Sequence, residues 1–226
     1  MSFLKHGVMK KKLFRFFIVA CLVGLLFSCN AQAGNTHTKE LADTVMRDIP
    51  LDKKGKPTLS YLSKVQIAAQ LKLDTLENGF DSLQIRIWYG YARTDSGQLV
   101  IIKNINNKWT AELFTLLYHL NENGNTLKSI SKNVVLREPN SGWENFTSNL
   151  FELQIMGLPD FRKIINYPDI ADGNGVSIEI ATTKQYRYYL YQEPKMVQDK
   201  IKQAKKIEEI LELIEDEFNF KRLRKL

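Results

Sequence analysis

The sequence has few of the residues on which recognisable catalytic and metal sites depend. It has two cysteines and three histidines in 226 residues, and no second histidine or cysteine stands at ligand spacing from His119. The G-x-S-x-G, P-loop and G-x-G-x-x-G patterns are absent. Asp169 to Gly175 is rich in Asp, Asn and Gly, but Ala171 and Ile180 stand where an EF-hand loop needs oxygen ligands. We therefore expect no metal and no cofactor, and we favour a non-catalytic protein over an enzyme.

The first 28 residues have the order of charge and apolarity that is typical of a secretory signal peptide. A basic segment without acidic residues contains Lys5, Lys10, Lys11, Lys12 and Arg15. The apolar run that follows, from Phe16 to Leu26, is interrupted only by Gly24. This run has the length of a signal-peptide core, whereas spanning a bilayer of roughly 30 Å takes about 20 residues. We predict that residues 1–28 are a leader.

The end of this leader resembles the lipobox of bacterial lipoproteins. Leu26-Phe27-Ser28-Cys29 has an aliphatic residue, a small residue and then the cysteine. The resemblance implies that Cys29 is lipidated and becomes the first residue of a membrane-anchored chain. Ile18 to Cys21 is a rival match, but it would leave too short an apolar run before it. Asn30, in place of an aspartate, implies sorting to the outer membrane of the cell envelope.

Removal of the leader changes the charge of the chain. The leader holds five of the 32 lysines and arginines and none of the 25 acidic residues, so the formal charge falls from +7 to +2. A nearly balanced chain gives no electrostatic reason to expect a nucleic-acid partner. Only Cys29 is left among the cysteines, so no disulfide is expected. We predict a lipidated tether over residues 29–36 and a single domain over residues 37–226.

Hydrophobic periodicity predicts an α+β fold. Apolar residues at helical spacing predict helices over Thr38–Ile49 and Ser60–Leu76. The period then changes to two, which predicts a four-strand antiparallel meander. Its strands are Leu83–Tyr91, Leu99–Ile105, Trp109–Leu120 and Thr126–Arg137, and the last is polar enough to be an edge strand.

The remaining segments predict helices around a later hairpin. Ser141 to Glu144 reads as a capping box that starts a helix. Val176 to Leu190 reads as a hairpin with a three-residue loop, in which Ile180 faces Tyr186 and Glu179 faces Arg187. After Pro194 we predict a long helix that continues nearly to the chain terminus, because the final lysines and arginines would then favour its C-terminal end. The expected sheet has about six antiparallel strands packed with helices.

Aromatic and arginine side chains provide the candidate binding residues. These residue types are enriched at binding hot spots, and aromatic faces also suit sugars and peptides. The candidates are Arg86, Trp88, Arg187, Tyr189 and Tyr191. The alternative interpretation is that helices cover both faces of the sheet and that these side chains belong to the core.

Three functions remain open from the sequence. The first is a lipid-anchored envelope protein that binds a protein, peptide or glycan without catalysis. The second is an envelope hydrolase whose carboxylates, such as Glu112 and Glu179, meet only in the fold, within roughly 5–9 Å of each other. The third is an immunity or inhibitor lipoprotein, to which no particular residue points.

Overall fold

The protein combines one mixed β-sheet with four α-helices in the residues that its structure, a computed structural model, describes: 45–91, 94–123, 126–170 and 173–223. The strands are β1 (Met46–Asp48), β2 (Leu83–Gly90), β3 (Ser96–Ile105), β4 (Lys108–Leu120), β5 (Leu127–Arg137), β6 (Gly175–Thr182) and β7 (Gln185–Gln192). The helices are α1 (Leu59–Gln70), α2 (Trp143–Glu152), α3 (Pro194–Val197) and α4 (Lys202–Phe218). The predicted leader, the predicted lipidation site Cys29 and the predicted tether lie outside the described residues.

The sheet has seven strands in the order β1-β7-β6-β2-β3-β4-β5. The meander from β2 to β5 is confirmed, and β5 is an edge strand as predicted. The later hairpin joins the meander by antiparallel pairing of β6 with β2. The expectation of six strands that are all antiparallel is wrong, because β1 adds a seventh strand parallel to β7.

The helix predicted over Thr38–Ile49 is wrong where the structure describes it. Met46 to Asp48 is the strand β1, which pairs with Gln185 to Arg187. Arg47 donates to the backbone carbonyl of Glu77 at 3.0 Å, and Asp48 accepts from Arg187 at 3.1 Å. These tertiary contacts override a helical spacing that is only a weak prior.

The register predicted for the β6–β7 hairpin is also wrong. Ile180 faces Arg187 and Glu179 faces Tyr188, so the loop is one residue shorter than expected. A shift by one residue moves every side chain of a strand to the other face. The charged residues of the hairpin consequently find partners elsewhere: Glu179 pairs with Arg86, and Arg187 pairs with Asp48.

The first two helices form with ends that differ from the prediction. α1 stops at Gln70, and a separate 3₁₀ turn occupies Leu76–Asn78. α2 begins at Trp143, one residue after the start that a cap at Ser141 predicts, and the capping box is wrong, because no side chain caps this helix. Ser141 instead donates its hydroxyl to Glu217 at 2.7 Å, and Glu217 also accepts from the Ser141 backbone N–H at 2.8 Å.

The long C-terminal helix is confirmed, but its bounds differ. A break separates α3 from the 17-residue α4, which ends at Phe218 instead of continuing toward the terminus. Asn219 takes a left-handed conformation, and the backbone N–H of Phe220 closes the helix on the carbonyl of Glu215. The chain then folds back, so that Arg222 pairs with Glu208 and Glu215. The basic tail thus reaches the acidic end of the helix without extending it.

Apolar residues cover both faces of the sheet. The larger core cluster joins Ile87, Val100 and Ile178 of the sheet to Phe146 of α2 and Leu211 of α4. A smaller cluster on the other face packs Ile67, Ala68 and Leu71 of the α1 segment against Trp88, Leu99 and Phe114. None of the helices in the described ranges is long and apolar enough to cross a membrane.

Truncation of Phe146 should test how α2 holds the larger core. Its ring is fully buried and lies 4.9 Å from the ring of Phe218, centroid to centroid, in an edge-to-face arrangement. We expect Phe146→Ala to lower the free energy of unfolding by about 3–5 kcal/mol, because the cavity cannot fill. Urea denaturation followed by circular dichroism measures the change.

Phe151, on the same helix, provides the matched control. It is 37% exposed, so Phe151→Ala removes less buried area and should cost about 1 kcal/mol or less. Equal losses for the two variants would contradict the described packing of α2 against α4.

Candidate functional site

Arg86 and Trp88 lie in the interior, on the face that α1 covers. Arg86 and Glu179 occupy paired positions on β2 and β6, their charged atoms are 3.4 Å apart, and each residue is 2% exposed. Arg86 also donates to the backbone carbonyl of Asp74 at 2.7 Å. Burial raises the pKa of Glu179, and the charge of Arg86 opposes that rise. The pair is an internal ion pair beneath α1.

Lys64 of α1 adds a further cation near this pair. Its ammonium lies 5.5 Å from the centroid of the Trp88 ring. Burial lowers the pKa of Lys64 to about 8, although the charge of Glu179 acts in the opposite direction. The space between α1 and the sheet here is about 70 Å³, which suits a water molecule better than a ligand.

Arg187, Tyr189 and Tyr191 lie on the opposite face of the sheet. Tyr189 and Tyr191 are buried, and the Tyr189 hydroxyl donates to the carbonyl of Ile155 at 2.6 Å. Arg187 is half-buried and donates to the carbonyl of Leu158 at 3.1 Å. The five candidate side chains therefore fall into two buried groups on different faces and do not form one exposed patch.

The carboxylates considered for hydrolysis are not brought together. Glu112, Ile101, Arg86 and Glu179 form one row across four neighbouring strands. Three strand spacings separate the two glutamates, or roughly 14 Å at about 4.8 Å per strand. Glu112 pairs instead with Lys103 at 3.3 Å.

His119 is exposed near the end of β4, and its Nε2 lies 2.8 Å from the Ser131 hydroxyl on β5. This is a cross-strand contact on an open sheet surface. Within the described ranges, no group of three His, Cys, Asp or Glu residues is arranged to hold a metal ion.

A cleft that the sequence did not indicate lies where β2 ends and β6 begins. It measures about 300 Å³, within the range of small-ligand sites. Its walls come from the end of β2, the start of β6, the start of α3, α4 and the folded-back tail. The lining residues are Tyr89, Gly90, Tyr91, Asn174, Gly175, Val176, Glu193, Pro194, Lys195, Glu208, Arg222 and Leu223. We call this space the tail cleft.

The charges that line the tail cleft balance. Glu208 is buried and accepts from Arg222 at 2.9 Å, while the Glu193 carboxylate accepts from the backbone N–H of Asn174 at 2.6 Å. Although burial favours its neutral form, Glu208 and Glu215 raise the pKa of Arg222 and keep it charged. Lys195 is exposed and brings a second cation. Two anions and two cations therefore line the cleft, which favours a ligand without net charge.

Tyrosines form the aromatic wall of the tail cleft. The Tyr91 hydroxyl donates to Gln98 and accepts from the backbone N–H of Leu223 at 3.0 Å, so it ties the tail to β2. The Tyr89 hydroxyl is buried without a hydrogen-bond partner among the described residues, and its ring meets Phe220 edge to face, with centroids 5.7 Å apart. The tail thus closes one side of the cleft.

No spacing in the sequence could have identified the tail cleft, because its residues come from five separate segments. The one local signal of the cleft is the acidic stretch of α4, because two of its residues, Glu208 and Glu215, pair with Arg222. Comparison with known proteins adds no assignment: no family model matches the chain, and no curated protein shows significant similarity to it.

Proposed function

We propose that this chain is a lipid-anchored, non-catalytic binding protein of the bacterial cell envelope, and that its tail cleft binds a small neutral glycan unit. The leader and the lipobox ending at Cys29 support the location. The observation that carries the binding role is the tail cleft, which combines tyrosine rings with balanced charges. Sugar hydroxyls can both donate and accept hydrogen bonds, and aromatic rings provide the apolar contact that sugar rings favour.

A glycan hydrolase is the second candidate, because two carboxylates line the same cleft. A glycosidase needs one carboxyl group to donate a proton and a second to act as base or nucleophile. Arg222 pairs with the Glu208 carboxylate, and the Asn174 backbone N–H donates to the Glu193 carboxylate. Both carboxylates would have to lose these partners before they could transfer a proton. We therefore favour binding over turnover.

The test uses N-acetylglucosamine, a neutral envelope sugar, as the probe. We expect saturation-transfer NMR to detect its binding to the full chain in detergent micelles, and we expect Lys195→Ala to weaken binding about fivefold through loss of one charge-assisted hydrogen bond. Lys200→Ala is the matched control, because Lys200 is an exposed lysine that does not line the tail cleft.

Three outcomes would count against this proposal. Absence of any signal from the sugar, or equal weakening by Lys200→Ala, would remove the tail cleft as a glycan site. Release of nitrophenol from nitrophenyl N-acetylglucosaminide would show that the tail cleft hydrolyses glycosides, provided that Glu193→Gln abolishes this release.

A further inference from the structure

The rest of the chain covers the two edges of the sheet to different extents. At one edge, β1 covers only Gln185 to Arg187 of β7. Beyond β1, side chains satisfy the outward backbone groups of β7: Asp160 accepts from the N–H of Leu190 at 3.0 Å, and Tyr167 donates to the carbonyl of Gln192 at 2.6 Å. These two backbone groups of β7 are therefore not free to pair with a further strand.

Within the described residues, the opposite edge, β5, is open over its length. It has 11 residues, and in the described sheet it pairs with β4 on one side alone. Throughout the part of the chain that the structure describes, no side chain hydrogen-bonds the backbone of β5. An edge strand of this kind presents unpaired N–H and C=O groups to which an extended segment can add.

The charge of β5 indicates which kind of segment can pair with this edge. The strand carries Lys128, Lys132 and Arg137 and has no acidic residue. A second copy of β5 would bring the same cations to the edge, and like charges directly opposite each other are unfavourable in a sheet. Acidic side chains on the added segment would instead find opposite charges.

The surface beside β5 also suits alternate side chains of an added strand. Val134 and Leu136 are 39% and 72% exposed, and by register they share a face with Lys132 and with Phe114 of β4. A groove of about 250 Å³ on this face is lined in part by Phe114, Lys132 and Val134. Every second side chain of an added strand would lie over this face.

We infer that β5 is a docking edge for an extended acidic peptide segment of a partner protein, with apolar side chains at alternate positions, which adds to the sheet as an eighth strand. Main-chain hydrogen bonds would supply affinity, and the exposed apolar and basic side chains of β5 would supply selectivity. This inference is independent of the tail cleft.

The probe is a fluorescent nine-residue peptide of alternating glutamate and valine, added to the full chain in detergent micelles. Fluorescence anisotropy should show binding that weakens as salt is raised, because exposed charges are screened. Lys128→Glu should weaken it about fivefold, whereas the matched control Lys202→Glu, on exposed α4 surface, should leave it unchanged. A peptide of the same sequence with alternate amides N-methylated should not bind.

Two results would overturn the inference. Equal binding of the N-methylated peptide would show that no strand is added, since that peptide lacks the donors that the edge requires. Sedimentation of the chain as a dimer that competes with binding of the peptide would assign the edge to a second copy instead of an acidic partner.

Discussion

Replacing Cys29 with alanine should release the protein from bacterial membranes and abolish its incorporation of labelled fatty acid. Each buried CH₂ group of an acyl chain contributes about 0.8 kcal/mol to membrane binding, and stable anchoring takes more than one chain. The proposed lipobox implies a triacylated Cys29, so on this proposal the anchor is lost entirely when the sulfur is removed. Fractionation of cells after an alkaline wash, with fatty-acid labelling in parallel, measures both effects.

Cys21→Ala is the matched control, since Cys21 ends the rival lipobox in the same leader. This variant should stay labelled and membrane-bound. The reverse result, with Cys21 required and Cys29 dispensable, would move the anchor and the start of the mature chain.

The parts of the fold that the sequence predicts well are those fixed by local signals. β2, β3, β4 and β5 follow one another through short turns, so a change to period-two alternation is enough to identify them. α4 is similarly visible because its apolar stripe persists over 17 residues. The exposure of β5 was readable from its polar residues, and it is this strand that carries the proposed docking edge.

The parts of the fold that the sequence predicts poorly depend on residues that are far apart in the chain. The predicted hairpin register pairs Glu179 with Arg187 inside the hairpin. Their actual partners are Arg86, 93 positions from Glu179, and Asp48, 139 positions from Arg187. The residues of two neighbouring strands do not reveal partners so distant in the chain.

The same limit applies to the helix ends and to the site. Ser141 and Glu144 have the spacing of a capping box, but Glu217 of α4 reaches Ser141 and supplies the hydrogen bonds. The tail cleft depends on Asn219, whose left-handed conformation turns the chain back toward β2. Asn219 is a local signal for this helix end, because asparagine tolerates the left-handed conformation, but the basic residues that follow it favour a longer helix.

Glu179→Leu should lower the free energy of unfolding by about 3–5 kcal/mol, because it leaves the buried guanidinium of Arg86 without its counter-charge. Both residues are 2% exposed, so water cannot solvate the abandoned charge. The double variant Arg86→Met, Glu179→Leu should regain most of this loss, since apolar residues of similar volume often replace a buried ion pair without cost. Urea denaturation of the wild-type, single and double variants completes the cycle.

The exposed pair of Lys103 and Glu112 on the same sheet is the control for this cycle. Their charged atoms lie 3.3 Å apart, but about a quarter of each side chain is exposed. Glu112→Leu should therefore change the free energy of unfolding by about 1 kcal/mol or less. A double variant at Arg86 and Glu179 that stays as unstable as Glu179→Leu would mean that the pair holds the strands in register through its charge. Recovery of stability in the double variant would mean that the ladder hydrogen bonds and apolar burial hold β2 against β6 without the charge of the pair.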